Sequence, residues 1–252
     1  MARNQGNKRS YLVTGSAHRI GRALVLELSK YAEALIIHYN NSKDDAEALA
    51  EEVEKTGARA FIIAADLSSA SGAGELMSRV WKTACPVDVL INNASIFEVG
   101  HLTDTTIEDF QRNMMINAFA PLLLSRSFAA LNAQRETTLR PVIINMLDAR
   151  ATDYDREHAA YHLAKRTLLW LTKTTALEFA PGVRVNGIAP GLILPPAGKD
   201  KSYLEKLKNT NPLNSIGTTE QIAQAARFLI DNEFITGQVI YVDGGRHLRG
   251  IV

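Results

Sequence analysis

Tyr161 and Lys165 stand four residues apart in Tyr-His-Leu-Ala-Lys, a spacing that puts phenol and ammonium on one face of a helix. A cation beside a phenol favours the phenolate, so the pair predicts a tyrosine whose pKa is drawn down toward the range useful for acid catalysis. The spacing alone suits many helix surfaces. Its place in the chain gives it weight, because it follows the apolar run Val142-Ile-Ile-Asn-Met and precedes Val183-Arg-Val-Asn-Gly-Ile-Ala-Pro190-Gly191. Asn117 also stands out, as an amide inside Met114-Met-Ile-Asn-Ala-Phe. A buried amide must find partners, either as a core group or as part of a site.

A second kind of chemistry is written near the N-terminus. The strand-like Tyr11-Leu-Val runs into Thr14-Gly15-Ser16-Ala17-His18-Arg19-Ile20-Gly21 and then into a helical pattern. Such a turn offers backbone N–H groups and a helix N-terminus to a pyrophosphate. The next strand ends in His38-Tyr39-Asn40-Asn41-Ser42, without the acidic residue that an NAD site places on the ribose 2′-hydroxyl. Ser42, the Asn40 and Asn41 amides, His38 and the Arg19 guanidinium could instead meet a 2′-phosphate, which favours NADP(H) over NADH. Asp66-Leu67 and Asn92-Asn93-Ala94-Ser95 follow two further strands, where open α/β sheets bind ligands. Asp66 fits a helix cap as well as an adenine contact.

Short Val/Ile/Leu-rich runs alternate with amphipathic stretches, and these must position the groups above. Strands are expected at Ser10–Thr14, Ala34–Tyr39, Ala60–Ala64, Val87–Asn92, Pro141–Met146, Arg184–Ile188 and Gln238–Val242. Helices are expected at about Ile20–Tyr31, Asp44–Thr56, Gly74–Thr83, Thr106–Leu131, His158–Phe179 and Glu220–Asp231. The pattern predicts one α/β domain of Rossmann type, a doubly wound seven-stranded parallel sheet with helices on both faces. Residues 1–9 read as a flexible leader and Leu192–Asn214 as a candidate substrate lid.

Composition narrows the function. The 252 residues are 46% hydrophobic and 22% charged, and 28 Lys and Arg nearly cancel 27 Asp and Glu. No global field favours nucleic acid or an anionic membrane. No signal peptide and no membrane-spanning run is expected. The single Cys85 fits a reducing, cytoplasmic setting, and the histidines show no metal-ligand spacing.

The whole arrangement resembles the short-chain dehydrogenase/reductase family. The glycine turn, Asn-Asn-Ala, Tyr-x-x-x-Lys, Pro190-Gly191 and Val242-Asp243-Gly244-Gly245 occur in that family's order. The resemblance implies that Tyr161 donates a proton, that Lys165 holds the nicotinamide ribose and tunes the tyrosine, and that Asn117 supports a relay water. It also implies that Gly15, Ile20, Gly21, Leu67, Asn93, Ala94, Pro190 and Gly191 border the cofactor, and that the protein assembles as a homotetramer.

Two positions depart from the family's common pattern: its catalytic serine is Asp148 here and its middle turn glycine is Arg19. An ionised carboxylate cannot donate a hydrogen bond and would repel the oxyanion formed in ketone reduction. It suits a nitrogen heterocycle better, accepting from a ring amine and helping deliver a proton to nitrogen. These departures, with Asn-Ala-Ser-Ile-Phe and Asp-Gly-Gly-Arg-His-Leu, resemble pteridine reductases and bacterial dihydromonapterin reductases. That resemblance implies an NADPH-dependent reductase of a pterin or folate, Phe97 stacking on the pterin, and Arg19 and Ser95 binding phosphates and the pterin edge. Two other readings remain open: a carbonyl reductase acting on 3-oxoacyl thioesters, and a catalytically silent NADP(H)-binding regulator.

Overall fold

The computed structural model describes residues 8–196 and 198–249. Strands β1 (Arg9–Val13), β2 (Ala32–Tyr39), β3 (Arg59–Ala64), β4 (Val89–Asn92), β5 (Val142–Met146), β6 (Arg184–Pro190) and β7 (Val239–Val242) form one sheet, in the order β3-β2-β1-β4-β5-β6-β7. Every neighbouring pair is parallel. Parallel neighbours require crossover connections, here mostly helical. Helices α1 (Arg19–Ser29), α2 (Lys43–Glu54) and α8 (Thr219–Asp231) cover one face, while α3 (Ala70–Thr83), α5 (Ala120–Ala133) and α6 (Ala159–Glu178) cover the other. Strand side chains alternate between the two layers: Val13, Leu35 and Ile37 enter one core, Leu12 and Ile36 the other. The predicted doubly wound, seven-stranded Rossmann-type domain is therefore observed.

After β3 the chain returns to place β4 beside β1. Strand order reverses there, and a crevice opens at the carboxyl ends where such sheets take ligands. Most candidate site residues end or directly follow strands on that side, while Asn117, Tyr161 and Lys165 sit on the helices that follow.

Several boundaries differ for physical reasons. Helix α3 starts at Ala70, because the Ser69 hydroxyl caps it by accepting from Gly72 N–H at 3.1 Å. A Cβ on Gly72 would lie 2.0 Å from the Asp66 carbonyl, so the small residues that discourage a helix in the sequence are what this start requires. Arg9, expected within the flexible leader, opens β1, and its guanidinium reaches the Arg140 carbonyl and Glu233. Residues 1–7 lie outside the described residues.

The long helix over Thr106–Leu131 is realised as α4 (Ile107–Met114), a π-helical turn (Met115–Phe119) and α5. A Thr106–Asp109 capping box starts it. Among the described residues, one helical stretch, the 27 residues Ile107–Ala133, is long enough and, over an 18-residue window of mean hydropathy 1.4, apolar enough to cross a membrane, a test that core helices also pass. Its buried Ala120, Leu124 and Phe128 pack with α3 and the sheet. The Leu192–Asn214 segment carries α7 (Lys201–Leu207) and a 3-10 turn at Lys208–Thr210.

Candidate active site

Strand β5 delivers Asp148 just beyond its carboxyl end, and the first turn of α6 delivers Tyr161. The phenol donates to Asp148 Oδ2 at 2.8 Å, and the other carboxylate oxygen accepts from Arg150 N–H at 2.7 Å. One helical turn later, Lys165 is buried and its Nζ donates to the Met146 carbonyl at 2.8 Å. Its ammonium stands 5.7 Å from the Tyr161 ring centroid. Burial lowers the Lys165 pKa to about 8 against the opposing pull of Asp148.

The expected drop in the Tyr161 pKa is not found. Burial first, and then the Asp148 charge and its hydrogen bond, raise it well above the usual 10. Asp148 touches the phenol directly whereas Lys165 is committed to a backbone carbonyl, so the anion dominates the tyrosine's surroundings. A tyrosine so placed is held protonated.

Phe97 borders the same group. Its ring meets Tyr161 edge-on at 4.7 Å and lies flat against His158 at 4.0 Å, with 11° between the planes. At 47% exposure it still offers surface to a ligand. The Asp155 carboxylate holds His158 through its backbone N–H at 3.1 Å, and its own pKa is lowered to about 2.

The π-helical turn places Asn117 beneath this wall, fully buried. Asn117 Oδ1 accepts from Ser95 Oγ and Ile96 N–H at 2.8 and 3.0 Å, and Nδ2 donates to the Ile96 carbonyl and Asn113 Oδ1 at 3.1 and 3.3 Å. Both lone pairs and both protons of the amide are engaged. The side chain pins the Ser95–Ile96 backbone; the implied relay water would have to meet its main chain.

At the other end of the crevice, Gly15 takes φ +59° and packs so closely that a Cβ would lie 2.8 Å from Ala94 Cα. A Cβ on Gly21 would lie 2.5 Å from the Gly15 carbonyl. Asn93 Nδ2 donates to the Thr14 and Gly15 carbonyls, while Thr14 Oγ1 accepts from both the Asn93 and Ala94 N–H groups. Asn93 and Ala94 thus brace the turn. Helix α1 starts without a side-chain cap and without an acidic residue in its first turn, leaving N–H groups suited to a phosphate. These features fit a dinucleotide's pyrophosphate.

Three expected cofactor contacts are corrected or qualified. His38 cannot face a 2′-phosphate: it is 2% exposed, Nδ1 accepts from Gly15 N–H at 3.0 Å and Nε2 meets the Ala65 carbonyl at 3.1 Å. Burial lowers its pKa to about 4, so it is a neutral strut beneath the turn. Asp66 uses both carboxylate oxygens on Ser68, N–H and hydroxyl, each at 2.8 Å. Arg19 is not brought to Phe97; its guanidinium donates to the Pro195 carbonyl at 2.7 Å, from a backbone φ of +55°.

The remaining expected residues lie at or near the carboxyl ends of the strands. Tyr39 ends β2, and Asn40 and Asn41 follow it, exposed. Ser42 Oγ lies 2.8 Å from His18 Nε2, which joins the glycine turn to the residues that follow β2. Ile20 sits in the first turn of α1 and packs against the core, and Leu67 is buried under the β3 end. The Pro190 carbonyl accepts from Ala149 N–H at 3.0 Å, and a Cβ on Gly191 would lie 2.6 Å from Asp243 Cα. Thr14, His18 and His158 were missed as supporting residues, although Thr14 and His18 stand inside the glycine-turn motif itself.

Similarity to known proteins extends over nearly the whole chain. The family model described as enoyl-(acyl carrier protein) reductase matches residues 15–247. A 3-oxoacyl-[acyl-carrier-protein] reductase FabG of Staphylococcus epidermidis is 30% identical over 250 residues, covering 95% of this chain and 99% of that one. Among solved structures, FolM alternative dihydrofolate reductase 1 from Brucella canis, complexed with NADP, is 31% identical. It superposes with a TM-score of 0.87 over 95% of this chain and 94% of the other. A blue fluorescent protein from a metagenomic library, in complex with NADPH, is 30% identical with a TM-score of 0.85, over 95% and 98% of the two chains. With its glycine turn, its Tyr161–Lys165 pair and these full-length matches, the chain belongs to the short-chain dehydrogenase/reductase family of oxidoreductases.

Proposed function

We propose that the protein reduces a pteridine C=N bond, converting a dihydropterin or dihydrofolate-like substrate to its tetrahydro form, with NADP(H) as cofactor. The observation that carries this reading is the 2.8 Å hydrogen bond from Tyr161 to the Asp148 carboxylate, where the family's common pattern has a serine. The nicotinamide supplies the hydride when bound. The glycine turn and the open start of α1 would take the pyrophosphate, and Ser42, His18, Asn40 and Asn41 would hold the 2′-phosphate. Lys165 holds the ribose.

Phe97 is the wall on which the pterin ring stacks, one face backed by His158. Asp148 accepts a hydrogen bond from a ring or amino N–H and fixes the heterocycle against the phenol. Tyr161, held protonated, gives its proton to the ring nitrogen as hydride reaches the neighbouring carbon. The reduced ring itself is neutral, and the phenolate left on Tyr161 beside Asp148 takes a proton from solvent to complete the cycle. A ketone would build an oxyanion against that carboxylate.

The 3-oxoacyl reductase relatives favour a second reading, reduction of a 3-oxoacyl thioester. An NADPH-oxidation screen over oxidised and dihydro forms of biopterin, monapterin and folate, with acetoacetyl thioester beside them, separates the two. A dihydropterin with the highest kcat/KM supports the pteridine reading; a thioester above every pterin contradicts it. A homotetramer fits the exposed apolar side chains Phe119, Leu163, Trp170 and Leu177 along the α4–α6 surface, and sedimentation velocity tests it. The Leu192–Asn214 segment, joined to the cofactor turn through Arg19 and Pro195, is the proposed substrate lid.

A further inference from the structure

Arg246 stands out among the arginines. Among the described residues, it is the one partly buried arginine whose guanidinium makes no hydrogen bond, no ion pair and no ring contact. By contrast Arg150 is engaged by Asp153 and Asp155, Arg166 by the carbonyls of Ala151, Thr152 and Asp153, and Arg19 by Pro195. A partly desolvated guanidinium with its fork of donors unmet matches the bidentate geometry of an oxyanion such as a carboxylate.

Its position is fixed by the sheet. Beyond the last paired residues, Ala149 N–H donates to Pro190 and Gly191 N–H donates to Val242, both at 3.0 Å. The ends of β5, β6 and β7 are therefore laced together, two strands across from Asp148 to Asp243. The buried Asp243 carboxylate accepts from Gly245 N–H, His247 N–H and His247 Nδ1 at 2.9, 2.7 and 2.8 Å, which locks the turn that begins at Arg246. His247 stacks on Tyr241 at 3.9 Å. On the opposite side Gly244 and Gly245 press against Asn211 and Pro212, at the base of the lid. The charged and titratable groups within electrostatic reach of the guanidinium are Arg150, Asp148, Asp153 and Tyr203. Arg246 thus lies between the catalytic carboxylate and the lid helix α7, on a rigid support.

We propose that Arg246 reads an acidic substituent of the substrate, a carboxylate carried on the side chain of the pterin whose ring lies at Asp148 and Tyr161. The inference rests on the pteridine reading and sharpens it: a pterin bearing a carboxylate is held better than one with a neutral side chain.

Dead-end complexes test this without turnover. The NADP+-loaded protein is titrated by calorimetry with folic acid, which carries carboxylates, and with biopterin, which does not, in wild type, Arg246→Gln and Arg246→Lys. The expected result is a folate Kd about tenfold or more weaker in Arg246→Gln, partial retention in Arg246→Lys, and a biopterin Kd changed less than about twofold. A folate Kd that does not move, or that moves in step with biopterin, overturns the role of Arg246 while the pteridine reading stands. Wild-type protein that binds neither ligand overturns the pteridine reading and this inference together.

Discussion

The Tyr161 hydroxyl and the Asp148 carboxylate share a hydrogen bond of 2.8 Å, and Lys165, one turn further along α6, points at the Met146 carbonyl instead of at the phenol oxygen. The three groups form a proton-holding unit: an anion that keeps the phenol protonated, and a cation under strain from burial. Replacing the phenol by Tyr161→Phe removes the donor and should lower kcat by roughly 10²–10⁴-fold with dihydropterin. NADPH binding, followed by fluorescence, should stay within about twofold. A rate reduced less than about tenfold would show that another group supplies the proton.

Lys165 sets the alkaline limit. Its pKa near 8 means that the free enzyme loses this cation as pH rises through that value, so kcat/KM should fall above about pH 8. Asp148 opposes the lowering, and its removal in Asp148→Asn should move the limb of the residual activity further toward acid. A limb near 10.5, or one that the substitution leaves in place, would show that Lys165 does not control the profile.

His38 links the cofactor turn to stability. Its pKa is near 4 in the fold against 6.5 in the unfolded chain, so the unfolded state binds the extra proton between these values. The stabilisation is complete above about pH 6.5 and is lost as pH falls toward 4. By pH 5 the loss amounts to about 2 kcal/mol. Urea unfolding at pH 7 and pH 5 should show that this part of the acid loss disappears in His38→Gln. Equal losses in the two proteins would contradict the assignment.

Gly21→Ala puts a methyl group 2.5 Å from the Gly15 carbonyl and 2.6 Å from Asn93 Nδ2. The turn must shift, at a cost of about 1–3 kcal/mol, and NADPH affinity should fall by about tenfold or more. Fluorescence titration and thermal unfolding measure both. A variant with unchanged affinity would show that the turn does not need its present shape.

The sheet, its order of elements and the Tyr161–Lys165 pair were legible because they rest on periodicity and fixed spacing. What stayed hidden depends on partners distant in sequence. His38 looked like a phosphate ligand because nothing local shows that Gly15 and Ala65 occupy both its nitrogens. Arg19 looked like a simple substitution for glycine, yet it keeps the left-handed backbone of a glycine and reaches lid residue Pro195. The π-helical turn around Asn117 leaves no mark on an apolar helical pattern, and the Tyr161 pKa depends on which of two neighbours touches the phenol. Asp148 stood out by its type alone, a carboxylate where the family's common pattern has a hydroxyl, and the structure sets it against the Tyr161 hydroxyl.

The proposed preference of Asp148 for a ring nitrogen over a carbonyl is measured by one ratio: kcat/KM for dihydrobiopterin over kcat/KM for acetoacetyl thioester, in wild type and in Asp148→Ser. The account predicts a ratio well above one in the wild type that falls by about 100-fold or more in Asp148→Ser, as the hydroxyl regains the ability to donate to a carbonyl and the ring loses its acceptor. A ratio that Asp148→Ser leaves unchanged, or a wild type that prefers the thioester, would contradict it.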